Sequence, residues 1–293
     1  MNDNELMKTM PVPQAVAKMA IPSIISSLVT VVYNMADTFF VGQTGDPLQV
    51  AAVSLTNPIF ILFMAFANMF GMGGSAAASI AMGENNKKRM KQVSAFITYA
   101  SLGVGIVFAA LLVLFMQPIL GIFGANAETY ALAKGYVFHI SYGAPFIIWS
   151  AAASFVVRSE GSSREAMIGS MIGTVANIVL DPILIFGYFG APALGIAGAA
   201  GATVFGQIIA FGLGFYLNKT KNHEITISLR SFKPNGEIIR HIYAVGVPSI
   251  IMASIGSIMT FGINKILIAF SSTATAVFGV YFKLQSFVFM PVF

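Results

Sequence analysis

Charged residues are scarce along most of this chain, and the intervals they leave recur with near-regular length. The first apolar run covers about residues 15–41, and others cover about 50–82, 93–117, 131–157, 166–189, 194–217 and 242–270. An eighth opens near Thr273 and is still apolar at Phe293. A helix needs roughly 20 apolar residues to cross hydrocarbon, whereas a barrel strand needs about ten of alternating polarity. These runs are too long and too uniform for strands, so helices, whose backbone bonds close within one segment, are expected. The first run is also too long for the apolar part of a signal peptide, and no small-residue cleavage site follows it. The expected fold class is an all-α integral membrane bundle of about seven and a half transmembrane helices.

The polar intervals between the runs carry a pattern of their own. Lys8 and Lys18 precede or open the first run, and Lys87, Lys88, Arg89 and Lys91 lie between the second and third. Arg158 and Arg164 lie between the fourth and fifth, and Lys219, Lys221, Arg230, Lys233 and Arg240 follow the sixth. Thirteen of the 16 basic residues thus gather on one face, against Lys134 alone in the loops of the other. The excess of Lys and Arg on cytoplasmic loops makes that face cytoplasmic, N-terminus included, in a multi-pass protein of the inner membrane. Ser162-Ser163-Arg164-Glu165 has the spacing of a capping box at the start of the fifth run.

A shift of 226 residues lays Pro22-Ser23-Ile24-Ile25 on Pro248-Ser249-Ile250-Ile251, each opening a run on the same face. An even number of runs between the copies makes the repeat parallel, as in transporters built of two halves. The organisation expected is a six-helix first lobe over 1–217, a cytoplasmic linker over 218–241, and the start of a truncated second lobe over 242–293. About four further C-terminal spans would complete that lobe, and its function is expected to need them.

Composition then narrows the chemistry. With 57% hydrophobic and 9% charged residues, the chain has too little polar surface for a soluble globule of 293 residues. The absence of cysteine excludes disulfides and thiolate metal sites. The net charge of +5 is spent on topology, so no nucleic-acid partner is expected. No nucleophile–base set, metal cluster or phosphate loop lies inside the runs, which argues against an enzyme and against a cofactor.

Two of eleven acidic residues fall inside apolar runs, Asp37 and Asp181, both toward the outer half of the membrane. A carboxylate in hydrocarbon costs several kcal/mol on most estimates, so it faces a bundle interior and commonly serves ion or proton traffic. A dry surrounding favours the neutral acid and a bound cation favours the anion, so the pair can act as a proton switch or hold Na+. A helix-end aspartate bonded to a neighbouring helix is the plainer alternative. Asn177 shares the face of Asp181, four residues before it. Tyr136 and His139 could extend a hydrogen-bonded relay, although a histidine here can equally be a satisfied structural group. Thr203 lies among Gly198, Ala202 and Gly206, which are spaced for close helix packing. Lys265 and Lys283 lie inside the seventh and eighth runs, where they would pair with other residues or snorkel.

Several segments then resemble the multidrug and toxic compound extrusion (MATE) family. They are Asp37-Thr38-Phe39-Phe40-Val41-Gly42, Arg158-Ser159-Glu160-Gly161, the run from Asn177 through Asp181-Pro182 to Gly187, and Ala191-Pro192-Ala193-Leu194-Gly195-Ile196-Ala197-Gly198. The resemblance implies export of organic, often cationic, compounds in exchange for H+ or Na+ by alternating access, with the lipid bilayer as the other partner. It implies cation or proton coupling at Asp37, Asn177 and Asp181, with Tyr136 and Thr203 as hydrogen-bond partners. Lys283 is more similar to the DNA-damage-inducible efflux branch. Two other functions stay open: a lipid or oligosaccharide-lipid flippase, whose anionic headgroup Lys265 and Lys283 would suit, and a non-transporting membrane fragment.

Overall fold

Helix starts in this chain are set by residues that can take up the first orphan N–H groups. In the computed structural model, which describes residues 11–159, 162–221, 235–270, Tyr281 and Gln285, asparagine and aspartate caps recur. α1 is Val12–Gly42 and α2 is Pro47–Gly83, the latter capped by Asp46, whose carboxylate accepts from Leu48 N at 3.0 Å. α3, Lys87–Leu114, is capped by Asn86, which accepts from Arg89 N at 3.0 Å. A short α4, Met116–Ile122, follows, and then α5, Ala127–Ser159. Asn126 caps α5 through Glu128 N and Thr129 N at 3.1 and 2.9 Å, while the Thr129 hydroxyl accepts from Asn126 N. α6 is Ser163–Phe186, α7 is Ile196–Lys221 and α8 is Gly236–Phe270.

Six of these helices, α1, α2, α3, α5, α6 and α7, are long and apolar enough to cross a membrane, and α8 runs for 35 residues. The expected all-α membrane fold is what the chain adopts. Differences lie at boundaries. The third run is not one helix to 117, because α3 stops at Leu114 and Phe115 leaves helical geometry (φ −111°, ψ 27°). Pro118 explains the break, since its ring would strike the carbonyl of residue 114 in a continuous helix. Ser162 sits at the N-cap of α6 without a capping bond from its side chain, so the expected capping box does not form. The linker expected over 218–241 is helical at both ends, where α7 runs on to Lys221 and α8 begins at Gly236. Lys8, residues 222–234, Lys283 and most of the eighth run lie outside the described residues, as does the Lys265 side chain.

α5 is the central helix, packed against α2, α3, α6 and α7, and it buries Val137, Ile140, Ile147, Ile148 and Trp149. α1 leans on α6 at the edge and exposes Ile21, Val32, Met35 and Phe39 to the surroundings that lipid supplies. Close approach is made by small residues: Gly105 of α3 meets the backbone at Pro145 of α5, and Gly198 of α7 meets the Leu184 carbonyl of α6. α8 packs on α2 in the same way. Gly246 lies against the Met69 carbonyl and Gly73 against the Ile242 carbonyl. Arg89 closes that contact at the basic face, with Nη1 3.2 Å from Glu84 and Nη2 3.1 Å from Glu237.

Candidate proton or cation site

Asn177 and Asp181 stand one helical turn apart on the inward face of α6, and both are buried, Asp181 completely. Pro182 follows at once and removes the N–H that would otherwise bond the Ile178 carbonyl, loosening the helix beside the carboxylate. Gly206 lets α7 approach here, because a Cβ at that position would be 3.0 Å from the Asn177 Cβ and 2.7 Å from the Gly173 carbonyl. The approach brings Thr203 of α7 opposite Asn177, whose Nδ2 donates to the threonine hydroxyl at 3.4 Å. From α1, the Tyr33 hydroxyl reaches the same Thr203 oxygen at 3.5 Å. Asp37, half-buried, lies one turn further along α1. From α5, buried Tyr136 completes the set. Asp37, Asp181, Tyr33 and Tyr136 are all within electrostatic reach of one another.

Four helices therefore converge on one cluster, and it contains Asp37, Asn177, Asp181, Tyr136 and Thr203 from the sequence reading. His139 stands apart. Its Nδ1 donates to the Gly135 carbonyl of its own helix at 2.7 Å, and its ring packs edge-on against Phe138. Tyr33 is the member that sequence reasoning passed over. Its signal was present, four residues before Asp37 on the same helical face, but tyrosine is common near membrane interfaces and does not stand out there.

The electrostatics of the cluster are set by what is missing from it. Both carboxylate oxygens of Asp181 and the amide oxygen of Asn177 are buried with no hydrogen-bond donor among the described residues. An isolated buried carboxylate is too costly to persist, so such a group takes up a proton or pairs with a cation. Hard cations select oxygen ligands, and the three idle oxygens with the Thr203 hydroxyl supply that donor type. Among the described residues, no three His, Asp or Glu side chains gather into a metal-binding group. The cluster therefore offers buried oxygen acceptors without donors among the described residues.

The sequence matches the MatE family profile over residues 22–183, more than half of the chain. It is 31% identical over 278 residues to the multidrug export protein MepA of Staphylococcus aureus, covering 94% of this chain and 60% of that relative. It is similar to a crystal structure of MATE in the bent conformation, with a TM-score of 0.88 and 28% identity over 100% of this chain and 64% of the other. It is also similar to a MOP superfamily transporter from Pyrococcus furiosus, with a TM-score of 0.86 and 29% identity over 94% of this chain and 61% of the other. For that transporter, reversed polarity of the binding pocket has been held to suggest a different function. The chain spans about 60% of the length of the curated relatives it matches.

Proposed function

The chain belongs to the MatE family of multidrug and toxic compound extrusion proteins, and from that membership we propose that it serves a secondary antiporter which exports organic, often cationic, compounds in exchange for H+ or Na+. In this reading residues 1–217 form the first lobe, 218–241 the linker and 242–293 the opening of the second lobe. The protein lies in the cytoplasmic membrane with the N-terminus and the basic loops inside. Asp37 and Asp181 are the coupling carboxylates, Asn177 and Thr203 orient them, and Tyr33 and Tyr136 hold the surrounding network.

The observation that carries the reading is the trio of buried acceptor oxygens on Asp181 and Asn177 with no donor. A proton or Na+ arriving from outside would satisfy them and remove the charge that resists burial. The lobe can then close around a neutral cluster, which favours release of the exported compound. On the opposite side, loss of the proton or ion restores the charge and with it the hydrated, open arrangement. Because the carboxylates interact, they titrate as a pair.

The test is drug/cation exchange in proteoliposomes holding the whole transporter, with pH and Na+ gradients imposed separately. Asp37→Asn and Asp181→Asn keep size and hydrogen bonding but fix a neutral side chain, so exchange should fail while substrate binding survives. Wild-type exchange in both variants would reject coupling at this cluster. A response to Na+ alone would replace the proton by directly bound Na+. The second reading, a lipid flippase suited by the intramembrane Lys265 and Lys283, is tested with headgroup-labelled lipid as substrate in the same vesicles.

A further inference from the structure

At the membrane face that carries the basic loops, α5, α6 and α7 leave a cleft between their ends. Its walls include Trp149, Ser154 and Val157 of α5, Glu165 and Gly169 of α6, and Gly214 of α7, and it is open at its mouth. Small residues create it. A Cβ added at Gly169 or Gly214 would meet nothing within 4 Å, so helix contact does not account for either glycine. One turn deeper the helices do touch: a Cβ at Gly173 would be 2.7 Å from both the Ala210 Cβ and the Gly206 carbonyl. The bundle is sealed below and splayed above.

Two polar groups on these walls have chemistry to offer. Trp149 is only 2% exposed, yet its indole Nε1 is buried with no acceptor. An unpaired buried N–H of this kind is destabilising, and a ligand oxygen or water would satisfy it. Glu165 is the acid of the lining, half-buried in the first turn of α6, and exposed Arg164 beside it bears the opposite charge. A ligand for this cleft therefore presents an ammonium at the mouth and a hydrogen-bond acceptor further in. Elsewhere on the same face, exposed Lys87, Lys88 and Lys91 attract anionic lipid. Glu165 sets a single negative charge against them on the cleft wall.

We propose that the cleft binds a zwitterionic lipid headgroup of the phosphatidylethanolamine class, its ammonium on Glu165 and a phosphate or glycerol-ester oxygen accepting from the Trp149 indole. Glu165 lies in the first turn of α6 at the helix ends, and Trp149 lies deeper, ten residues before the end of α5. This site is separate from the Asp37–Asp181 cluster and does not depend on the ion that the cluster takes.

Trp149 is the single tryptophan of the sequence, so its fluorescence reports the cleft without a label. The whole transporter, with any tryptophan outside these 293 residues replaced by phenylalanine, is reconstituted in vesicles containing phosphatidylethanolamine or phosphatidylglycerol brominated at the top of the acyl chains. Brominated phosphatidylethanolamine should quench Trp149 about two- to fivefold more strongly, the range an exposed ion pair can supply. Glu165→Gln should bring the two lipids to equality. Gly169→Leu, which fills open space, should lower quenching by phosphatidylethanolamine to the level of the other lipid. Equal quenching in the wild type would overturn the proposal and leave a water-filled cleft. Retention of the preference by Glu165→Gln would overturn the role of the carboxylate. Free ethanolamine that abolishes the preference at millimolar levels would show that the site takes the soluble amine, and would overturn the lipid as its occupant.

Discussion

Asp181 and Asn177 share a turn of α6, but they ask different things of their neighbours. The amide of Asn177 has a partner in Thr203, while the carboxylate of Asp181 has none among the described residues. Removing the first should therefore perturb and removing the charge of the second should abolish. Asn177→Ala is expected to cost about 1 kcal/mol of stability for the lost bond, read as a lower melting temperature in detergent, and to shift the pH dependence of exchange without ending it. Tyr33→Phe should act similarly by freeing the Thr203 hydroxyl. His139→Gln should leave the pH profile unchanged, because the ring is engaged by its own helix. A profile displaced by His139→Gln would mean that the relay extends further along α5. The acids and Asn177 were legible in the sequence because charge inside an apolar run is rare and the i, i+4 relation fixes a face. Tyr33 needed the structure, since only the crossing of α1 with α7 puts its hydroxyl beside Thr203.

Helices in this bundle are joined by close backbone contact more than by charge, and the α2–α8 pair allows the two to be compared. Its ionic part is Arg89 between Glu84 and Glu237, whose side chains are 48% and 68% exposed. Exposed pairs contribute about 0–1 kcal/mol, so Arg89→Ala should lower the melting temperature only slightly and less still at high salt. Its packed part is Gly246 against Met69, where an added methyl must displace backbone. Gly246→Ala should cost about 1–3 kcal/mol and separate α8 from α2. A larger loss from Arg89→Ala than from Gly246→Ala would reverse this order. Element existence was legible from the lengths of the apolar runs, and element ends were less so. The stop at Phe115 follows from Pro118, a signal that apolar periodicity hides inside a continuous run. The capping box expected at Ser162 does not form, while the sequence reading does not single out the caps at Asp46, Asn86, Asn126 and Asn235, whose side chains accept from backbone N–H groups at 2.9–3.1 Å.

At the scale of the whole molecule, two of the proposals rest on where charge sits: which face is inside, and which residues couple the ion to transport. The chain contains no cysteine, so single cysteines report orientation cleanly. Lys88→Cys on the α2–α3 turn should resist an impermeant thiol reagent in intact cells, and Glu128→Cys at the start of α5 should react; the reverse result would invert the topology. Coupling is the larger claim, and a charge count on one buried carboxylate tests it most directly. In proteoliposomes holding the whole transporter, an inward pH or Na+ gradient is imposed and efflux of a fluorescent organic cation is followed. The account predicts gradient-driven efflux in the wild type, and in Asp181→Asn a substrate that still binds but is no longer driven. Undiminished gradient-driven efflux in Asp181→Asn would contradict it.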